Sequence, residues 1–274
     1  MGIFRFKRFE VVNERSAMKV NTDGVLLGAL MTILPADRTL LDIGTGTGTI
    51  ALMAAQRLFS CGISDATMDS SESEGPADRL SERSISLRSC EAGQTDCRTV
   101  QIDAIDIDEA SADEAEANFR NSPWSEALHA YHTSLDDFAS DRKYDLIFSN
   151  PPYFEDSLNA PEERRNNARH TSTGLSYREI LDFASQSLTD NGRVAFVLPA
   201  ETEQSLCRHA RMNGLHLFRI VRVRSVPRKE PSRIIAEFSR TRIDTPEDTV
   251  LTIQNEGKYT EEYLSLMRDF YLFA

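Results

Sequence analysis

The 274-residue sequence predicts an α/β fold with a doubly wound, mainly parallel seven-stranded sheet and an antiparallel hairpin at one edge. Two observations support this fold. Short apolar strands alternate with helical segments from residue 39 onward, and two late strands follow one another without a helix between them. The predicted strands cover residues 39–43, 100–108, 128–133, 144–149, 193–198, 215–223 and 234–238.

Each element carries its own local signal. The first strand is a short apolar run that ends in a glycine-rich turn, which is typical of a buried parallel strand. The helices are indicated by runs of good helix formers and by glycines that stop them, such as Gly192 and Gly214. Helices are predicted over residues 49–57, 109–121, 175–188, 201–212 and 259–273.

We interpret residues 1–274 as a single domain with two additions. Residues 60–98 are rich in Ser, Asp, Glu and Gly and poor in aliphatic side chains. Because such a segment cannot bury enough apolar surface to offset the entropy of ordering it, we predict a flexible insertion there. Residues 1–38 precede the first predicted sheet strand and form a separate N-terminal segment.

The sequence argues against a membrane-spanning or a secreted protein. No stretch approaches the ~20 apolar residues that a membrane span needs, and the N-terminus lacks the apolar region of a secretory signal. The four cysteines form no CxxC pair, and no histidine stands near enough to suggest a zinc module, so we expect no metal site and free thiols in a reducing cytoplasm. They are Cys61, Cys90, Cys97 and Cys207.

The net charge of −12 argues against nucleic-acid binding if it is spread evenly. The charge is uneven, however, because residues 208–242 contain ten Lys and Arg residues against two acids. This segment predicts either a basic face or an ordinary solvated surface, and composition alone does not decide between them.

The first candidate site is the turn 42–48, Asp-Ile-Gly-Thr-Gly-Thr-Gly, between a strand and a helix. Its glycines let the backbone approach a ligand closely. A dinucleotide fingerprint would need its third glycine one residue later, at Thr49, and Asp42 would repel a pyrophosphate. Asp42 can instead accept from the ammonium group of an amino-acid moiety, with a ligand-free turn as the alternative. The assigned cofactor residues are Asp42, Gly44, Thr45, Gly46 and Gly48.

The second candidate site is a pair of carboxylates at the end of the second predicted strand. Asp106 stands where a carboxylate can accept both ribose hydroxyls of a nucleoside. Asp108 stands directly before the next helix, and we predict that it caps that helix.

The third candidate site is Asn150-Pro151-Pro152-Tyr153, directly after a buried strand. The prolines stiffen the turn and remove two backbone donors, so that Asn150 and bare carbonyls present only acceptors. Two acceptors can hold the hydrogens of a planar amine and raise its nucleophilicity, while Tyr153 offers a flat face for a base. We assign all four residues to catalysis, in which alignment of the attacking nitrogen supplies most of the effect.

Together these sites resemble the Rossmann-like class I S-adenosylmethionine-dependent methyltransferases that act on amino groups. Other segments resemble the bacterial tRNA1(Val) (adenine(37)-N6)-methyltransferase family, over most of the chain apart from residues 60–98. These segments are residues 6–9 with 16–28, Ala168-Arg169-His170 followed by Leu175-Ser176, and Pro231-Ser232-Arg233.

The resemblance implies that S-adenosylmethionine is the cofactor and that its methyl group goes to the N6 amine of adenine 37 in the anticodon loop of a valine tRNA. We expect a cytoplasmic monomer that needs neither membrane nor metal. The resemblance also implies that the N-terminal segment covers the cofactor and substrate with Thr22 and Asp23, whereas Thr22 read alone is equally a helix N-cap.

Two further groups of residues complete the expected site. Methyltransferases of this type often place Asp after the third strand to bind the cofactor adenine. Here Ser134 holds that place, and Asp136 is the alternative if the register differs. Basic residues after the catalytic turn are expected to contact RNA phosphates, or else to form a solvated loop. They are Arg164, Arg165, Arg169 and His170.

Other functions stay open at this point. Enzymes that methylate a release-factor glutamine or an rRNA guanine use a similar turn after the fourth strand. A non-catalytic module that binds the cofactor and RNA is a second alternative. A nicotinamide oxidoreductase is disfavoured by the misplaced third glycine.

Overall fold

The computed structural model describes residues 2–61, 100–152 and 175–274. The strands are β1 (Ile3–Arg5), β2 (Glu10–Val12), β3 (Thr39–Ile43), β4 (Gln101–Asp106), β5 (Leu128–His132), β6 (Tyr144–Ser149), β7 (Leu188–Pro199), β8 (His216–Arg224), β9 (Arg233–Ser239), β10 (Glu247–Thr252), β11 (Gln254–Asn255) and β12 (Lys258–Tyr259). The helices are α1 (Thr22–Leu30), α2 (Thr49–Cys61), α3 (Glu109–Arg120), α4 (Tyr177–Ser187), α5 (Glu203–Met212) and α6 (Glu261–Met267), with a 3-10 turn over Ala200–Thr202.

The central sheet confirms the predicted fold class. Its strand order is β10-β8-β9-β7-β6-β3-β4-β5, and the seven predicted strands are β3 to β9. From β3 the chain winds outward through β4 and β5, and from β6 it winds the other way through β7. The sheet is therefore doubly wound, with its topological switch point between β3 and β6.

One edge of the sheet differs from the prediction. The late strands β8 and β9 are antiparallel as expected, but β9 lies between β7 and β8, and β10 adds an eighth strand parallel to β8. The hairpin is thus not the outermost element. The sequence pattern does not predict β10. Four of its six residues are exposed and only Leu251 is buried, so it has no alternating apolar pattern.

Strand side chains alternate between two buried layers. Leu40, Ile102 and Phe148 pack with α1, α2 and α3 on one face of the sheet. Leu41 and Ile147 pack with α4 and α5 on the other face. This period of two follows from the pleat and explains why the inner strands are apolar throughout.

Several predicted boundaries shift. The helix α2 runs to Cys61, two residues into the predicted insertion, and the remaining residues 62–98 lie outside the described part of the chain. The terminal helix α6 covers only Glu261–Met267. Asn21, rather than Thr22, is the N-cap of α1, because its Oδ1 accepts from Gly24 N at 2.8 Å; the reading of Thr22 as the cap was wrong.

The N-terminal segment runs along α3 toward the carboxyl ends of the parallel strands. The hairpin β1–β2 is joined to α3 by Asn118, which accepts from Val12 N at 2.8 Å and donates to Val12 O at 3.0 Å. Residues 13–21 then lead to α1. Within the described residues, no helix combines the length and the apolar character that crossing a membrane requires.

Candidate functional site

The three predicted sites lie at one edge of the sheet. The turn after β3, the end of β4 and the residue after β6 all stand at the carboxyl ends of neighbouring parallel strands, beside the switch point. Open α/β sheets bind ligands at this position. Ser149 strengthens the arrangement, because its buried Oγ donates to Ile43 O at 2.7 Å and joins the end of β6 to the end of β3.

The glycine turn needs its glycines. Gly44, Gly46 and Gly48 have φ angles of 74°, 57° and 78°, in the left-handed region that other residues rarely adopt. The N–H groups of Gly44 and Thr45 both donate to Ile105 O, at 2.9 and 3.0 Å, and so tie the turn to β4. The turn is therefore held in shape by the neighbouring strand before any ligand binds.

The three glycines have different surroundings. Gly44 lines both cavities described below. A Cβ on Gly46 would meet Met18 of the N-terminal segment at 3.4 Å, which is a tight contact. A Cβ on Gly48 would come within 2.5 Å of the Phe119 ring, so this glycine permits close packing of the turn on α3.

Asp42 is fully buried beneath the turn. Its Oδ2 accepts from Thr45 Oγ1 at 2.8 Å, whereas its Oδ1 has no hydrogen-bond partner among the residues that the structure describes. Burial, together with the nearby carboxylate of Asp106, raises the pKa of Asp42 to about 7. An unpaired buried carboxylate oxygen beneath the turn suits a positively charged group, which would lower that pKa again.

Asp106 is oriented by two backbone donors. Its Oδ2 accepts from Gly46 N and its Oδ1 from Asp108 N, each at 2.9 Å. Burial raises the pKa of Asp106 above its ordinary value. Each oxygen keeps a further lone pair for a ligand hydroxyl. Asp108 caps α3 by accepting from Ser111 N at 2.9 Å, which confirms the predicted cap.

Asn150 stands between two cavities and lines both of them. The first cavity has a volume of about 260 Å³ and the second about 30 Å³. Asn150 is buried, Pro151 is buried, and Pro152 lines the first cavity. Tyr153, the fourth residue assigned to catalysis, lies outside the described residues.

The first cavity fits a nucleoside. Apolar side chains surround the carboxylate of Asp106, so that a flat base can lie among them while hydroxyl groups reach the carboxylate. Ile107 lines this cavity although it is 70% exposed, and it is an apolar surface that a ligand would cover. The apolar lining consists of Ala17, Met18, Ile43, Ile105, Ile107, Leu135, Pro152 and Leu175.

The loop after β5 brings both alternative residues to the first cavity. Ser134 and Asp136 each line it. The hydroxyl of Ser134 already donates to Asp137 Oδ2 at 2.7 Å and accepts from Asp137 N at 3.1 Å. The side chain of Ser134 thus stabilises its own loop, which favours Asp136 as the group that meets a ligand.

The two residues expected from the N-terminal segment stand apart from both cavities. Thr22 is the first residue of α1, and Asp23 pairs with Arg233 at 2.9 Å. Met18 instead lines both cavities, and Asn21 lines the second. The chain turns into α1 at Asn21, and the cofactor roles assigned to Thr22 and Asp23 stay predictions.

Five of the ten basic residues of segment 208–242, among them Arg219 and Arg222, form hydrogen bonds or ion pairs within the fold. Arg219 pairs with the fully buried Glu237 at 2.7 Å, and Arg222 pairs with Glu203 and Asp248. These contacts give the paired arginines a structural role, whereas Arg208, Arg211 and Arg228 are exposed. The predicted RNA contacts Arg164, Arg165, Arg169 and His170 lie outside the described residues.

Comparison with known proteins agrees with this geometry. Residues 29–226 match the family described as RMKL-like, methyltransferase domain. The chain is 38% identical to a tRNA1(Val) (adenine(37)-N6)-methyltransferase of Parabacteroides distasonis, over 98% of this chain and 97% of that one. It is 34% identical to a protein of the same name from Flavobacterium psychrophilum, over 98% and 99%.

The fold also has a counterpart among solved structures. A protein of Agrobacterium tumefaciens described as a predicted O-methyltransferase superposes with a TM-score of 0.58 at 13% identity. The match covers 90% of this chain and 96% of the other. At 13% sequence identity, this similarity is evidence of a shared fold alone.

Proposed function

Because the chain belongs to the tRNA1(Val) (adenine(37)-N6)-methyltransferase family, we propose that it methylates the N6 amine of adenine 37 in the anticodon loop of a valine tRNA. The methyl donor is S-adenosylmethionine. The observation that carries this proposal is the position of Asn150, which lines both cavities at the switch point of the sheet.

The residues of the site fit this cofactor. The first cavity would hold its nucleoside, with the ribose hydroxyls on Asp106 and the adenine ring among Ile107, Leu135 and Asp136. Asp42 is fully buried beneath the turn and lines neither cavity, so its carboxylate would attract the positive amino-acid end through the turn rather than by direct contact. When bound, the cofactor supplies a methyl group on a positively charged sulfur, already activated for transfer.

The chain itself positions the acceptor. The side-chain oxygen of Asn150 accepts one hydrogen of the planar amine, and a carbonyl of the proline turn accepts the other. Held in this way, the nitrogen would direct its lone pair at the methyl group that the bound cofactor would supply. The surplus proton on nitrogen passes to solvent. Tyr153 stacks against the adenine in this proposal.

The chemistry of the methyl donor also bears on whether the enzyme needs a metal ion. A methyl group on a sulfonium needs no Lewis acid, so we propose that the enzyme works without a metal ion. We further propose that it acts as a monomer in the cytoplasm, with Arg164, Arg165, Arg169 and His170 contacting RNA phosphates.

Mass spectrometry of tRNA nucleosides tests the function. The full chain, incubated with S-adenosylmethionine and an unmodified valine tRNA transcript, is expected to produce one N6-methyladenosine per tRNA. A transcript with guanine at position 37 should remain unmethylated. Equal methylation of that control would overturn adenine 37 as the target, and transfer only to release factor or to rRNA would replace the tRNA with that substrate.

Cofactor affinity is expected to depend on pH through Asp42. Its pKa is raised to about 7, and a cation bound beside it favours the charged form, so binding below pH 7 must release a proton. Affinity should therefore fall as pH decreases below about 7, by at most tenfold per pH unit, and level off just above it, until the amino group of the cofactor itself loses its proton near pH ~8. Calorimetric titration with S-adenosylmethionine from about pH 5.5 to about pH 8.5 measures this slope.

The variant Asp42→Asn is the control for this dependence. Its amide does not titrate, so the slope near pH 7 should disappear even if affinity is lower throughout. An affinity of the unsubstituted protein that stays constant over the whole range would contradict the role given to Asp42.

A further inference from the structure

A buried carboxylate outside every sequence motif holds the N-terminal segment beside the first cavity. Glu114 lies in the middle of α3 and is 3% exposed. Its Oε1 accepts from the backbone N–H groups of Glu14 and Arg15, both at 2.7 Å, and its Oε2 accepts from Ser16 N at 2.9 Å. Three consecutive backbone donors thus converge on one side chain.

These contacts favour the charged form of Glu114. Burial alone would raise its pKa, but the three N–H groups, with help from Lys19, outweigh burial and bring the pKa below its ordinary value. The group is therefore a carboxylate at neutral pH. Hydrogen bonds to a charged acceptor are shorter and roughly twice as strong as neutral ones, which makes this a firm anchor.

The anchored residues continue into the wall of the first cavity. Ser16 Oγ donates to Met18 O at 3.1 Å and accepts from Ser111 Oγ at 3.0 Å. Ala17 and Met18 line the first cavity, and Met18 also lies against Gly46 of the glycine turn. The segment 14–18 therefore runs from Glu114 to the edge of the cofactor site.

We propose that Glu114 is a positioning residue for the cofactor, which holds segment 14–18 in place as a wall of the first cavity without touching the ligand. The inference rests on the proposed function, because it takes the first cavity to be the cofactor site. Its effect is confined to this segment, since the hairpin β1–β2 has its own attachment to α3 through Asn118.

The variant Glu114→Gln tests the proposal with little change in shape. Glutamine keeps one acceptor oxygen but presents an NH2 group where Glu114 has its other oxygen. At least one of the three bonds is then lost, and a donor faces a backbone donor. The amide hydrogens of Glu14, Arg15 and Ser16 should exchange faster in this variant.

Calorimetry and steady-state kinetics on the full chain supply the functional readout. S-adenosylmethionine should bind Glu114→Gln about 10- to 100-fold more weakly, as expected for lost bonds to a charged group. The KM for the cofactor should rise in parallel. The kcat at saturating cofactor and the KM for tRNA should stay within about twofold, because only ground-state binding is affected.

Asp113→Asn is the matched control. Asp113 neighbours Glu114 on α3 and contacts the same segment, but only through an exposed pair with the Arg15 side chain at 3.1 Å. Such pairs contribute little, so cofactor affinity and amide exchange should remain unchanged. A loss of affinity as large as that of Glu114→Gln would show that any disturbance of α3 has this effect, and would overturn the specific role.

Further outcomes separate this inference from the proposed function. If the unsubstituted protein fails to bind S-adenosylmethionine, the proposed function fails. If it binds, and Glu114→Gln binds equally tightly despite faster exchange at residues 14–16, the positioning role is wrong. Should Glu114→Gln not fold by circular dichroism, Glu114→Asp keeps the charge on a shorter side chain. An unchanged cofactor affinity in that variant would equally overturn the proposal.

Discussion

Replacing Asn150 by Ala is expected to lower kcat by about 10²- to 10³-fold, the loss typical when one oriented polar group is removed from a reacting centre. Asn150 lines both cavities and follows Ser149, whose hydroxyl joins β6 to β3. Asn150 therefore stands where its side-chain oxygen could accept from the amine in the proposed reaction. Methyl transfer to a valine tRNA transcript, measured in single turnovers, gives the rate.

Cofactor binding separates this catalytic effect from a structural one. Asn150→Ala should bind S-adenosylmethionine within about threefold of the unsubstituted protein, because the proposed loss falls on the transition state. Asn121→Ala, at the exposed C-terminal end of α3, serves as the control with an unchanged rate. A variant Asn150→Ala that transfers methyl groups at full rate would remove Asn150 from the mechanism.

Replacing Gly48 by Ala is expected to destabilise the fold by about 2–5 kcal/mol, through backbone strain and overpacking together. The φ angle of Gly48 is 78°, and a Cβ there would come within 2.5 Å of the Phe119 ring. Phe119 is fully buried in α3 and cannot move without disturbing the core. Thermal unfolding followed by circular dichroism should show a Tm lower by about 5–20 °C.

Gly257 offers a matched control for this substitution. It has the same φ of 78°, but no atom of the described residues lies within 4 Å of the position of its Cβ. Gly257→Ala therefore carries the backbone strain without the clash and should cost only about 1–2 kcal/mol. Equal losses for the two variants would show that the contact with Phe119 contributes nothing.

The catalytic edge of the sheet was predictable because it follows from a general rule. Parallel strands bring their carboxyl ends together, so Gly44, Asp106 and Asn150 could be assigned to one site from their positions after successive strands. The helix cap formed by Asp108 was also predictable, because it depends only on two residues that are three apart in the chain.

Features that depend on distant contacts were not predictable in this way. Glu114 binds backbone groups about 100 residues away in the sequence, and no motif marks it. Ser134 was assigned to the cofactor by register, but its hydroxyl is engaged with Asp137 of the same loop. The roles of Tyr153 and of the basic residues that follow it stay predictions.

The eighth strand has a consequence for how the protein meets other copies of itself. Without β10, the strand β8 would end the sheet with a row of unpaired backbone groups, which is a template for aggregation. β10 pairs with that row, and its Glu247 and Asp248 also neutralise Arg219 and Arg222. The strand that now forms the border begins with two acidic side chains, and charged side chains at an edge are one means by which natural sheets resist edge-to-edge association.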